Sequence, residues 1–319
     1  MAVYTTLAAH ELAALIGEYD VGTIVSAKGI AEGVSNSNWL IETSEARFIL
    51  TMYEQRMEVA ELPFFLHLLD HLAAKGSPVP RTIHDRAGAP CRMVGGKAVA
   101  LIEFLPGVSV DLPSPAQARA VGEALAGLHR NSADFVGERR NALSLGAWRE
   151  LFDSCGADGL ASIDPLLPTI VQRELAFMEA HWPSHLPRSI IHADLFPDNV
   201  LLLGDRVSGL IDFYFACRDI TAYDLAVTHS AWCFERDGTF RAEVAAALIA
   251  GYGQLSAEET AALPVLARGA AMRFMATRAY DWLNTPADAL VTRKDPMDFA
   301  RRLAFYQQAG MAAFPGIAA

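Results

Sequence analysis

The sequence predicts an α+β chain of two lobes: a small N-terminal lobe built on an antiparallel sheet, and a larger, mainly helical C-terminal lobe. Three observations carry this. Strand and helix signals alternate through the first hundred residues, Leu105-Pro106-Gly107 punctuates the chain sharply, and beyond it the apolar residues fall mainly at helical spacing. The boundary falls at 105/106, giving lobes of residues 1–105 and 106–319. With 319 residues, 52% hydrophobic and 20% charged, the chain can bury a core of ample size.

Taken in order, residues 6–19 read as an amphipathic helix with Leu7, Leu12, Leu15 and Ile16 on one side. Residues 22–33 are rich in glycine and small side chains. Two strands, 38–43 and 47–52, flank a Ser44-Glu45 turn. Residues 62–75 form a helix stopped by Gly76 and Pro78, and 98–104 is a further strand. After Gly107, Ser114-Pro115 supplies an N-cap and first-turn proline for a helix to about His129. Helices follow at about 168–182, 222–234 and 241–252. Ser256 with Glu259 forms a capping box ahead of an apolar stretch at 265–282.

The net charge of −11, without a block of lysine and arginine, argues against a nucleic-acid surface. No apolar run approaches the roughly 20 residues that span a bilayer, and the N-terminus lacks a signal-peptide pattern. Cys91, Cys155, Cys217 and Cys233 are widely spaced with no CxxC pair, which reads as reduced thiols. The expectation is a soluble cytoplasmic protein.

The chemistry concentrates at residues 190–212. His192-Ala193-Asp194, Asn199 five residues on, and Asp212 at the end of an apolar run match the catalytic-loop and metal-binding pattern of the protein-kinase-like fold. Phosphoryl transfer needs a carboxylate to accept the proton of the attacking hydroxyl and two oxygen-bearing side chains to hold Mg2+. Asp194 suits the first role, Asn199 and Asp212 the second. His192 belongs to the catalytic set by ordering the loop through hydrogen bonds. Residues 189–191 read as a buried strand. A hairpin of 200–203 and 207–211 about Gly204-Asp205 would bring Asn199 and Asp212 to the same end of two strands.

A kinase loop calls for a phosphate-covering loop and an adenine hinge in the N-terminal lobe. Residues 28–39, with Gly29, Gly33, Ser35, Asn36 and Asn38, offer close backbone approach and donors. Taken alone, such a stretch before a hairpin is more often an ordinary turn. The pattern is not that of a P-loop. Residues 102–107, including Glu103 and Leu105, suit the hinge.

Together, Gly33-x-Ser35-Asn36-x-Asn38-Trp39, the His192–Asn199 loop, Leu210-Ile211-Asp212-Phe213 and Ala222-Tyr223-Asp224-Leu225-Ala226 resemble the aminoglycoside phosphotransferase/choline kinase superfamily. Within it, Gly29–Gly33, Leu50–Glu54, Leu62–Leu66, Ile211–Cys217 and Ala231–Glu235 look like the bacterial homoserine kinases of this fold. The resemblance implies ATP and Mg2+ as cofactors and L-homoserine as the small-molecule substrate, on the route to threonine. It carries Asp194 over as base, Asn199 and Asp212 as metal ligands, Ser35 and Asn36 as phosphate-loop contacts, and Asp224 as a brace for the catalytic loop. One departure stands out. The third strand has Thr51 where most kinases of this fold carry a phosphate-binding lysine, which leaves Lys28 as a candidate cation and removes the reason to assign a partner role to Glu58 or Glu61.

An amino-acid substrate needs a cation for its carboxylate and an anion or carbonyl for its ammonium. Arg278 and Asp281, three apart on one helix, either bind the two ends of the substrate or pair with each other on a surface face. Asn36, Tyr214 and Trp232 are further pocket candidates. His129 reads as a packing or capping histidine rather than a catalytic one. The competing readings are a kinase for another small alcohol (choline, an aminoglycoside or methylthioribose) and a non-catalytic ATP-binding protein.

Overall fold

A computed structural model describes residues 7–30, 36–54, 59–285 and 293–317. The chain separates into two compact units, Met1–Pro106 and Gly107–Ala319.

The N-terminal unit opens with α1 (Ala9–Ile16), shorter than the sequence predicts. Strands β1 (Ile24–Ile30), β2 (Asn36–Thr43) and β3 (Arg47–Tyr53) follow, then α2 (Leu62–Ala74), β4 (Thr82–Ile83), β5 (Arg92–Val94) and β6 (Lys97–Glu103). The sheet runs β1-β2-β3-β6-β4 with β5 beside β6, every pairing antiparallel. Cross-strand register decides its faces. Trp39, Ile41, Phe48, Leu50, Met52, Val99 and Leu101 share one face and bury against Leu12, Leu15 and Ile16 of α1. Thr51 pairs with Asn38 and Ala100 and therefore lies on the opposite face. Lys28 and Gly29, expected in a loop, are strand residues opposite Leu40 and Trp39. Gly33, Ser35 and Glu58 lie outside the described residues.

The C-terminal unit contains α3 (Pro115–Asn131), α4 (Leu145–Ile163), α5 (Leu167–His181), β7 (Arg188–Ile191), β8 (Val200–Leu203), β9 (Arg206–Leu210), β10 (Cys217–Ile220), α6 (Thr221–Trp232), α7 (Ala242–Tyr252), α8 (Ala257–Asn284) and α9 (Met297–Ala309). Ser114 caps α3 in a box with Gln117, and Ser256 caps α8 with Glu259. Helix α8 runs unbroken through Pro264 and the whole apolar stretch. Helices α3 and α7 cross closely at two glycines: a methyl group on Gly122 would meet the Leu248 carbonyl at 2.2 Å, and one on Gly251 the Arg119 carbonyl at 2.0 Å. Helix α6 is buried from Ala222 to Trp232 and forms the centre of the unit. It packs against α8, and β7 pairs with β10 just ahead of it. None of the helices among the described residues is long and apolar enough to cross a membrane.

Candidate active site

The loop of residues 192–199 leaves the buried end of β7, Ile190 and Ile191. Val200 pairs with Leu210 across the β8–β9 hairpin, whose two-residue turn uses Gly204 at a φ of 65°. The Ile211 N–H donates to the Asn199 carbonyl at 3.0 Å, extending the ladder. Asn199 and Asp212 therefore sit at the same end of neighbouring strands, as the sequence predicts. Ala193 and Asp212 both have φ of 64° and are the two non-glycine residues with positive φ among those described. Each conformation costs on the order of 1–3 kcal/mol and persists where surrounding contacts dictate it.

At Ala193 one of those contacts comes from α6. Asp224, fully buried, accepts from the His192 N–H at 2.6 Å, the Ala193 N–H at 2.8 Å and His129 Nε2 at 3.0 Å. Burial alone would raise its pKa, but the hydrogen bond and charge of His129 and the approach of His192 hold it below the ordinary value. His129 in turn meets the Tyr252 hydroxyl at 2.9 Å. It ties α3, α6 and α7 to the loop, a task its sequence context did not show.

His192 is also fully buried. Its Nε2 bonds the Ile211 carbonyl at 2.9 Å, and its Nδ1 accepts the Asp194 N–H at 3.2 Å. With one nitrogen donating and the other accepting, the ring is neutral, and burial lowers its pKa further. His192 orders the loop and has no proton to spare.

The Asp194 side chain is 19% exposed. Burial pushes its pKa up to about 7; Asp212 and Asp198 add to the rise, while Arg273 and Lys294 oppose it. Asn199 Nδ2 donates to the Asp194 carbonyl at 2.8 Å and approaches Asp194 Oδ2 at 3.3 Å. Because both partners only accept, the amide must present its nitrogen, which leaves Asn199 Oδ1 for another ligand. Asp212 has an exposed edge with protein crowding its other side. That desolvation, with the charge of Asp198, pushes its pKa up to about 6.

Among the described residues no three His, Cys, Asp or Glu side chains converge to hold a metal. Asn199 and Asp212 lie at the same end of the β8–β9 hairpin, near Asp198, and offer one amide and one carboxylate oxygen ligand. This suits Mg2+, which keeps several waters and takes one or two protein oxygens together with substrate phosphates.

The remaining predicted residues fall as follows. Trp232 is buried and donates Nε1 to the Leu195 carbonyl at 2.9 Å, so it supports the loop from behind rather than offering its ring to a pocket. Tyr214 is half-buried in the turn after Asp212. Arg278 donates to Asp298 Oδ2 at 2.9 Å and to the Asp295 carbonyl at 3.0 Å, and stacks over Phe299. Asp281 is exposed.

In the N-terminal unit, Thr51 donates its hydroxyl to Asn38 Oδ1 at 2.8 Å, and Asn36 is buried at the end of β2. Glu103 is held by Arg81 through Nε at 3.1 Å and Nη2 at 3.2 Å. Burial would raise its pKa, but the bonds from Arg81 leave it lowered. Leu105 follows, half-buried. Glu103 also borders an open pocket of about 400 Å³ with Arg47, Phe48, Ile83 and Phe104. Register places Phe48, Ile83 and Glu103 on the α1 face of the sheet, opposite Thr51.

Residues 26–257 match the phosphotransferase enzyme family. The homoserine kinase of Methylobacterium radiotolerans is 52% identical over 312 residues, 97% of each chain. That of Azorhizobium caulinodans is 50% identical over 322 residues, the full length of both. Among solved structures, a spectinomycin phosphotransferase in complex with ADP and spectinomycin superposes with a TM-score of 0.74 at 15% identity, covering 96% of this chain and all of that one. An ethanolamine kinase from Plasmodium vivax gives 0.64 at 15% identity over 90% and 84%. With residues 26–257 matched and relatives about 50% identical aligned end to end, the chain belongs to the phosphotransferase enzyme family, and its antiparallel-sheet unit followed by a helical unit is the protein-kinase-like fold.

Proposed function

We propose that the chain transfers the γ-phosphoryl group of ATP to the side-chain hydroxyl of L-homoserine, giving O-phospho-L-homoserine and ADP. The observation that carries this reading is the identity of about half the residues, over the whole chain, with homoserine kinases. The same stretch holds an intact Asp194, Asn199 and Asp212.

In this reading Asp194 is the general base. The homoserine oxygen forms a bond to the γ-phosphorus as the bond to the β–γ bridging oxygen breaks, and the hydroxyl proton passes to the Asp194 carboxylate. A carboxyl raised to about 7 is a better proton acceptor near neutral pH than an ordinary aspartate. Asn199 Oδ1 and the Asp212 carboxylate would hold Mg2+, which when bound neutralises phosphate charge and orients the leaving group. Asn199 also fixes the Asp194 main chain through its amide, so base and metal ligand share one scaffold. Thr51 gives its hydroxyl to Asn38 and brings no positive charge. Its presence favours a non-catalytic ATP-binding protein as the second reading. The four cysteines are free thiols, consistent with a cytoplasmic enzyme.

A coupled ADP-release assay across L-homoserine, choline, an aminoglycoside and methylthioribose tests the proposal. Homoserine should give the highest kcat/KM. Faster turnover of another alcohol would replace the substrate, and ATP binding without turnover of any of them would favour the non-catalytic reading.

A further inference from the structure

Arg273 lies mid-way along α8 among small and apolar residues and is 1% exposed. Among the described residues it is the only lysine or arginine buried to this degree. A guanidinium taken out of water costs several kcal/mol unless its partners compensate. Its partners all belong to the catalytic loop and its surroundings. Nη1 donates to the Ala193 carbonyl, and Nη2 lies 3.7 Å from Asp194 Oδ1. The rings of Phe274 and Phe215 lie 4.5 and 5.2 Å from its charge. Nε is buried with no hydrogen-bond partner among the described residues.

Two features separate this arrangement from ordinary packing. First, an apolar side chain of similar volume would fill the space without the cost of a buried charge and an orphaned Nε. Second, the contacts fall where the loop is strained. The peptide units flanking Ala193, at a φ of 64°, are gripped from both sides: Asp224 of α6 takes the Ala193 N–H, and Arg273 of α8 takes the Ala193 carbonyl. That carbonyl belongs to the peptide bond that leads into Asp194. The 3.7 Å separation from Oδ1 is too long for a hydrogen bond, so the attraction orients the carboxylate while leaving its lone pairs open to an acceptor hydroxyl.

We propose that Arg273 is the positioning residue of the catalytic loop, its planar fork spanning the Ala193 carbonyl and the Asp194 carboxylate and so fixing where the base meets the acceptor. This rests on the reading of Asp194 as base. It goes beyond that reading by assigning the aim of the base to a helix 80 residues away in sequence. Arg273 touches neither ATP nor acceptor in this account and acts through Asp194. Lysine can hold one partner but cannot span both with a rigid fork.

The test compares wild type with Arg273→Met, Arg273→Lys and Arg273→Ala, the last with and without millimolar guanidinium chloride. Misplacement of a base by about 1 Å costs on the order of 100-fold, so Arg273→Met should lose about that much kcat while KM for ATP and homoserine stays within about threefold. Arg273→Lys should recover roughly tenfold of the loss, and guanidinium should raise kcat of Arg273→Ala in a saturable way, because each restores part of the same charge-assisted contact. A merely structural arginine would show kcat falling in step with Tm, no rescue by guanidinium, or unchanged kcat in Arg273→Met. Any of these overturns the proposal. Should Arg273→Met fail to fold, Arg273→Lys decides: lost kcat at unchanged Tm supports the proposal, and wild-type kcat overturns it. The series is also read on the slow hydrolysis of ATP by water, which needs Asp194 but not homoserine. A wild type that hydrolyses ATP yet ignores homoserine counts against the substrate while the Arg273 comparison still stands.

Discussion

Replacing Asp194 with asparagine should abolish turnover and raise stability in the same protein. The side chain is 19% exposed, and burial, with Asp212 and Asp198 nearby, moves its pKa from 3.8 to about 7. Between those values the folded chain holds a proton that the unfolded chain has released, so stability falls as pH rises through the window. A displacement of roughly three pH units corresponds to about 4 kcal/mol at pH 8. The amide removes that cost but also gives up the attraction of Arg273. A net gain of about 2 kcal/mol is therefore expected at pH 8. By pH 4 the wild-type carboxyl is neutral in the folded state and only about half ionised in the unfolded state, so the two proteins should nearly converge. The assay is urea unfolding with a metal chelator at pH 8 and pH 4, followed by tryptophan fluorescence, since Trp148, Trp182 and Trp232 all lie in the helical unit. ADP release is measured on the same preparations. A variant no more stable than wild type at pH 8, or an advantage that persists unchanged into acid, would refute the reasoning.

Asp224→Asn should do the opposite: one amide oxygen cannot accept three donors, so about 3 kcal/mol of stability is lost together with kcat, read by urea midpoint and turnover. Gly251→Ala sets a methyl group against the Arg119 backbone and should cost about 3 kcal/mol with little change in KM, measured by thermal unfolding and steady-state kinetics. His229, fully buried between the Tyr306 hydroxyl and the Ala313 carbonyl, has its pKa lowered from 6.5 to about 4 by burial. Its contribution is complete above pH 6.5 and fades as pH falls toward 4, a loss of about 3 kcal/mol. A replacement that does not titrate, His229→Gln, should flatten that part of the stability–pH curve.

The hairpin of β8 and β9 was legible because its information is local. A His-x-Asp loop, an asparagine and an aspartate at fixed spacing, with Gly204 at the turn, specify a register by themselves. The hairpin of β2 and β3 was readable for the same reason. Strand β1 was not: its burial is intermediate only at the two ends and exposed between, so no alternation marks Ile24–Ile30 as a strand. Helix α4 escaped because Gly156, at a φ of 67°, interrupts its pattern, and β10 because four residues carry too little signal. The braces of the site were hidden for a different reason. His129 and Asp224 are 95 residues apart, and Arg273 and Ala193 are 80. The one local hint for Arg273 was a charge set among the small and apolar residues 269–276. Arg278 shows the same limit, since helical spacing pointed only to Asp281 while the fold brings Asp298, 20 residues on, to the arginine.

The central claim, that Asp194 drives phosphoryl transfer to homoserine, is tested most directly by following ATP and L-homoserine with each of the two proteins by 31P NMR. Wild type should produce a phosphomonoester signal matching O-phospho-L-homoserine in step with ADP, and Asp194→Asn should leave ATP intact while binding it with nearly unchanged affinity. A folded Asp194→Asn protein that still forms the phosphomonoester at more than about a tenth of the wild-type rate would contradict the account, since loss of a general base costs 100-fold or more.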